Sequence, residues 1–133
     1  MTDRPSVFIV AVVDDDQRIL ESLETLLESA EYAVRPFSSA KALLESGYLS
    51  EADCLISDID MPMMDGFELL RAVRAIRPEL PIILITGHPD LLNRLPLIGP
   101  DYYRMFTKPF NGQELLTAVS NALGSPRPRA SKA

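Results

Sequence analysis

The chain has 133 residues, a length that suits one domain with a real core, and its apolar (47%) and charged (24%) fractions are those of an ordinary globular protein. A net charge of −6 argues against direct binding to nucleic acid, because an acidic surface repels the phosphate backbone. The single cysteine, Cys54, excludes an intrachain disulfide, and the longest apolar run, Val7–Val13, is far too short to cross a bilayer. The polar segment Met1–Ser6 does not read as a secretory leader, so a cytoplasmic location with no membrane contact is expected.

In chain order, the pattern alternates strand and helix. Val7–Val13 is a continuous apolar, β-branched run, as in a central parallel strand covered on both faces. It ends in Asp14-Asp15-Asp16, and Asp15 or Asp16 can cap the next helix, whose apolar face carries Ile19, Leu23, Leu26, Leu27 and Ala30. Tyr32–Phe37 reads as a second strand, placed at an edge or ended by Pro36. Ser38 or Ser39 can cap a short helix through Leu44 that Gly47 breaks. Asp53–Ser57 is a third strand running into Asp58, with Cys54 as a buried strand residue. A loop with Met61, Met63 and Met64 comes next, and then Asp65 can cap a helix carrying Phe67, Leu70, Val73 and Ile76 that stops near Pro78.

Pro81–Thr86 is a fourth apolar strand closed by Gly87. The stretch 89–101 holds Pro96 and Pro100, so a helix there is short or irregular. Tyr102–Thr107 is the fifth strand, and Asn111 caps a last helix with Leu115, Leu116, Val119, Ala122 and Leu123 on its apolar face, ended by Gly124. Residues 125–133, with Pro126, Pro128, Arg127, Arg129 and Lys132, read as a disordered tail or linker remnant behind a domain of residues 1–124.

Five strands alternating with helices imply an α/β fold, a doubly wound parallel sheet with helices on both faces. Ligands of such sheets bind beyond the carboxyl ends of the strands. Four apolar runs here end in polar residues: Asp14-Asp15, Asp58, Thr86, and Lys108 just past the fifth strand. Clustered carboxylates repel one another, and a hard cation such as Mg²⁺ relieves that repulsion. A carboxylate can also attack phosphorus to give an aspartyl phosphate, with Lys108 and Thr86 to hold phosphate oxygens and Gly87 to leave room for them.

These residues carry a resemblance to a known family. The segments VVDDD (12–16), SDIDMPMMDG (57–66), LITGH (84–88) and TKPF (107–110), in this order, resemble the receiver domains of bacterial two-component response regulators over about residues 7–123. The resemblance implies a five-stranded flavodoxin-like sheet of order 2-1-3-4-5. It implies that Asp58 accepts a phosphoryl group from a histidine kinase or phosphotransfer protein, and that Asp14, Asp15, Asp58 and the Asp60 backbone carbonyl bind Mg²⁺. Thr86 and Lys108 would hold the phosphorylated form, with a cis peptide before Pro109. Switching would involve Gly87, Pro109 and Met105, which stands where the family usually has an aromatic residue, and would alter the surface formed by residues 89–101, the fifth strand and the last helix. It further implies no enzymatic turnover beyond self-phosphorylation and slow self-dephosphorylation, an unidentified downstream protein partner, and a monomer or a phosphorylation-dependent homodimer.

Simpler readings exist for single residues. Asp16 and Asp65 read as helix caps, His88 as a surface residue that can affect hydrolysis of the aspartyl phosphate, Thr86 alone as a β-branched strand residue, and Lys108 alone as a surface charge. Asp58-Ile59-Asp60 after a strand also resembles the opening motif of haloacid-dehalogenase-type phosphatases, but that family places its second acidic pair after the lysine. A binding module that kept the fold without the switch is the other alternative. A single-domain regulator without an output domain is the expectation, although the tail would also suit the linker of a longer regulator.

Overall fold

A computed structural model describes residues 7–60, 66–87 and 104–124. Its elements are β1 (Ile9–Val13), α1 (Gln17–Ser29), β2 (Ala33–Phe37), α2 (Ala40–Ser46), a 3₁₀ turn (Tyr48–Ser50), β3 (Cys54–Asp58), α3 (Gly66–Ile76), β4 (Ile82–Thr86), β5 (Arg104–Thr107) and α4 (Gly112–Gly124). The strands form one parallel sheet of order β2-β1-β3-β4-β5, the order the resemblance implies.

Strand alternation divides the core between the two faces. Val10 and Val12 of β1, Cys54 and Ile56 of β3, and Ile83 and Ile85 of β4 pack with Leu20, Leu23 and Leu27 of α1 and Leu115, Ala118 and Val119 of α4. The intervening Ala11, Val13, Leu55, Ile82 and Leu84 pack with Leu43 of α2 and Leu69, Leu70 and Val73 of α3. The three inner strands are therefore covered on both sides, which is why they read as unbroken apolar runs. The edge strands bury little, with Val34 the buried residue of β2 and Phe106 that of β5. Pro36 lies inside β2, where its missing N–H costs nothing on the outer side of an edge strand.

The helix ends follow local chemistry. Asp16 caps α1, its carboxylate accepting from the Arg18 amide at 2.9 Å, and Ser39 Oγ caps α2 by accepting from the Ala42 amide at 3.0 Å. Asn111 Oδ1 accepts from the Glu114 amide at 2.9 Å at the start of α4. Gly47, at φ 86°, ends α2 in the left-handed region. The end of α1 departs from expectation. Tyr32 N donates to Leu27 O and Glu31 N to Glu28 O, the paired bonds of a Schellman cap, yet the left-handed position is filled by Glu31 at φ 71°.

Several boundaries shift. Val7 and Phe8 precede β1 and are exposed, α2 runs two residues past Leu44, and the 3₁₀ turn had no distinct sequence signal. Expectations for Met61, Met63, Met64, Asp65, His88, the stretch 89–101, Tyr102, Tyr103 and the tail lie outside the described residues.

Candidate functional site

The strand register brings the polar strand ends to one edge. Val13, the last residue of β1, pairs with Phe37 on one side and Ser57 on the other; Asp58 pairs with Ile85, and Thr86 with Thr107. Asp14 and Asp15 leave β1 there, Asp58 ends β3, Thr86 ends β4, and Lys108 follows β5. The β4–β5 ladder continues one residue further, the Lys108 amide donating to the Thr86 carbonyl at 2.7 Å. The Lys108–Pro109 peptide is cis, as the resemblance implies.

Asp14, Asp15 and Asp58 each offer a carboxylate oxygen, and these atoms lie within 4.8 Å of one another. Asp14 (1%) and Asp58 (2%) are nearly sealed from solvent, whereas Asp15 is exposed. Lys108 Nζ reaches between the buried pair, 3.1 Å from Asp14 Oδ2 and 3.4 Å from Asp58 Oδ2. The remaining oxygens meet backbone amides: Asp58 Oδ1 accepts from Asp60 N at 3.0 Å, and Asp14 Oδ1 from Asp16 N at 2.8 Å.

One lysine does not neutralise this cluster. Burial pushes the Asp58 carboxyl up to about 6, and the charge of Asp14 adds to the rise; the Asp60 amide and Lys108 act against it. Burial likewise raises Asp14 above the usual carboxylate range, outweighing the Asp16 amide and Lys108. For Lys108, burial acts to lower the ammonium, but its contacts with Asp14 and Asp58 prevail and the net shift is upward.

The donor set fits a hard divalent cation. It supplies carboxylate oxygens, two of the three side chains are buried at a cost that a cation would relieve, and the exposed Asp15 leaves the cluster open to solvent and waters. Buried Asp14 Oδ2 strengthens the fit. No described donor completes a hydrogen bond of good geometry to it, despite the nearby lysine charge, so it keeps acceptor capacity.

The other expected site residues surround this cluster. Thr86 is fully buried at the end of β4. A Cβ added to Gly87 would stand 3.9 Å from both Asp60 Oδ2 and Lys108 Cδ, so this glycine faces the space between Asp60 and the lysine. Met105 is on β5, half-buried against the α2–α3 side of the core and not in the carboxylate cluster. Two features were missed in the sequence. Lys108 is nearer Asp14 than Asp58, a pairing that chain order cannot reveal, and Ser57, buried beside Asp58, donates its hydroxyl to the Asp58 carbonyl at 3.0 Å.

Comparison with known proteins agrees with this geometry. The family model described as the response regulator receiver domain matches residues 10–120. Response regulator protein TodT of Pseudomonas putida is 39% identical over 123 residues, covering 92% of this chain and 53% of its own length. The chain thus spans about half the length of that relative. Among solved structures, the signal receiver domain of an HD domain-containing protein from Pseudomonas fluorescens Pf-5 superposes with a TM-score of 0.85 at 30% identity, covering 100% of this chain and 98% of that one. Chemotaxis response regulator CheY4 of Vibrio cholerae gives 0.77 at 29% identity, with 89% and 100% covered.

Proposed function

The chain belongs to the response regulator receiver domain family of two-component signalling, and from that premise we propose that Asp58 is its phosphoacceptor, charged by a histidine kinase or phosphotransfer protein in a Mg²⁺-dependent reaction. The observation that carries this reading is the buried Asp58 carboxylate, held at one oxygen by the Asp60 amide and faced at the other by Lys108, beside two further aspartates.

At neutral pH a group titrating near 6 is mostly ionised, so Asp58 is a nucleophile without a general base. One of its oxygens attacks phosphorus, the phosphorus–nitrogen bond of the donor phosphohistidine breaks, and the imidazole leaves with the electron pair and takes up a proton. The product is an aspartyl phosphate. Lys108 then pairs with the phosphoryl oxygens as a point charge, and the Thr86 hydroxyl donates to one of them. Asp14, Asp15, Asp58 and the Asp60 carbonyl would hold Mg²⁺, which would supply charge compensation for the incoming phosphoryl group. Gly87 keeps the space between Asp60 and Lys108 free of a side chain.

The protein is a switch that turns over only its own phosphate, and it acts in the cytoplasm through a downstream protein partner. Among the described residues no helix is long and apolar enough to cross a membrane. Residues 1–124 form the receiver unit, and transmission runs from Thr86 and Gly87 through Pro109 to Met105.

The test is intact-mass measurement after incubation with a small-molecule phosphodonor. Wild type with Mg²⁺ is expected to gain one phosphoryl group; Asp58→Asn, and wild type with chelator, are expected to gain none. Equal gain in Asp58→Asn would overturn the assignment of the acceptor.

A further inference from the structure

β3 carries a polar side chain at a position where its core would take an apolar one. Leu55 and Ile59 belong to the core shared with α2 and α3, and Ser57, between them in strand alternation, points the same way. Across the sheet its partners in register are Val13 and Leu84, both in that core, and Ser57 is buried. Burying a hydroxyl there costs stability unless it is hydrogen-bonded, and an alanine or valine would carry no such cost.

The Ser57 hydroxyl donates to the Asp58 carbonyl at 3.0 Å, and that carbonyl lies where the ladder stops. The Ile59 amide donates to the Ile85 carbonyl of β4 at 2.9 Å. The two ends of one trans peptide point opposite ways, so the Asp58 carbonyl is directed towards β1. The register of β1 with β3 ends one residue earlier, at Val13 and Ser57. Ser57 Oγ therefore takes the place of the next ladder donor.

The Asp58–Ile59 peptide also sits inside the turn that the Asp60 amide closes on Asp58 Oδ1 at 3.0 Å. Its plane is thus held at the carbonyl by Ser57, at the amide by Ile85, and by the turn around it. With the peptide fixed, Oδ1 stays on Asp60 and Oδ2 stays turned to Lys108, 3.4 Å away.

We propose that Ser57 is a positioning residue: through the Asp58–Ile59 peptide its hydroxyl aims the Asp58 carboxylate for phosphoryl transfer. The proposal rests on Asp58 being the phosphoacceptor. Without the hydroxyl, the carbonyl loses this donor, the peptide tilts and the bond from Asp60 to Oδ1 loosens. A misaimed nucleophile slows transfer without weakening donor binding.

The experiment compares Ser57→Ala, Ser57→Cys and Ser57→Thr with wild type, at saturating Mg²⁺ and with phosphoramidate as donor. Cysteine nearly keeps the size but donates weakly, and threonine keeps the hydroxyl. Ser57→Ala and Ser57→Cys are expected to be phosphorylated about 10-fold more slowly at saturating donor, with the half-saturating concentration unchanged, and Ser57→Thr to recover most of the rate. Hydrogen exchange at the Asp60 amide should quicken in the two slow variants while Val12, Ile56 and Ile83 keep their protection, which a general loss of stability would not allow. Wild-type rates in Ser57→Ala and Ser57→Cys, or faster exchange spread evenly through the sheet, overturn the proposal. So does a folded Ser57→Thr as slow as Ser57→Ala. No phosphoryl gain in wild type, or equal gain in Asp58→Asn, strikes the acceptor reading itself and this proposal with it, whereas normal gain in wild type with no slowing in the Ser57 variants strikes this proposal alone.

Discussion

Asp58 is held in a state that costs the folded protein stability. An aspartate normally titrates near 3.8, and burial raises Asp58 to about 6, so between those values the folded protein binds more protons than the unfolded chain. Stability contributed by this group is therefore present at acid pH and lost as pH rises through about 6. Without metal, Asp58→Asn is expected to stabilise the fold by about 1–3 kcal/mol at pH 7.5, with the gain shrinking towards pH 5. Urea unfolding at the two pH values checks this. Mg²⁺ should raise the melting temperature of wild type more at pH 7.5 than at pH 5, and Asp14→Asn should blunt that rise, because Asp14 Oδ2 is the buried acceptor with capacity to spare. An unchanged response in Asp14→Asn would remove Asp14 from the metal site.

Residue chemistry made the site legible. Aspartates, a threonine and a lysine each stood at the end of an apolar run, and a parallel sheet carries such ends to one edge. Chain order leaves distances open. That Lys108 lies closer to Asp14 than to Asp58 is a matter of side-chain placement, which chain order does not carry.

At the scale of elements, legibility followed burial. The strands β1, β3 and β4 stood out because neighbours cover both their faces, whereas β5 has one buried residue among its described positions. Two helix ends show the same limit from the backbone side. Gly47 was a readable stop, and with φ at 86° and nothing within 4 Å of an added Cβ, Gly47→Ala is expected to cost about 1 kcal/mol through backbone strain alone. Glu31 gave no such signal. Glu31→Gly is expected to stabilise by about 0.5–1 kcal/mol, since relief of the left-handed strain exceeds the entropy cost of glycine. Thermal melts of both variants test the pair.

Arg77 was equally invisible, because its role depends on residues distant in sequence. Its Nη1 donates to the carbonyls of Leu49 at 2.8 Å and Ala52 at 2.9 Å, tying the segment before β3 to the end of α3, while Nε pairs with Glu79. Arg77→Ala is expected to cost about 2–3 kcal/mol, since it leaves both carbonyls without this charged donor. Arg77→Lys should recover little, because one ammonium lacks the fork geometry. Urea unfolding measures both, and a loss below the error of the method would show the clamp to be ornamental.

For the whole molecule, the sheet is a rigid mount with its chemistry at one edge. The core on one face joins α1 and α4, and the core on the other joins α2 and α3, with Met105 packed against the latter. Lys108, whose Nζ lies 3.4 Å from Asp58 Oδ2, follows β5 and extends its ladder with β4 through the Thr86 carbonyl, and Met105 lies three residues before that lysine. Met is pliant where an aromatic ring would be stiff, so the signal should appear there as repacking and not as a ring flip.

Whether the carboxylate cluster works as a phosphorylation switch is best read from the amide NMR spectrum with Mg²⁺. It is recorded before and after addition of beryllofluoride, a mimic of the aspartyl phosphate, in wild type and Asp58→Asn. Large shifts are expected at Asp58, Thr86, Gly87 and Lys108 in wild type, reaching Met105, and none in the variant. An unchanged wild-type spectrum with the fold intact would refute the switch and leave a binding module that kept the receiver architecture alone.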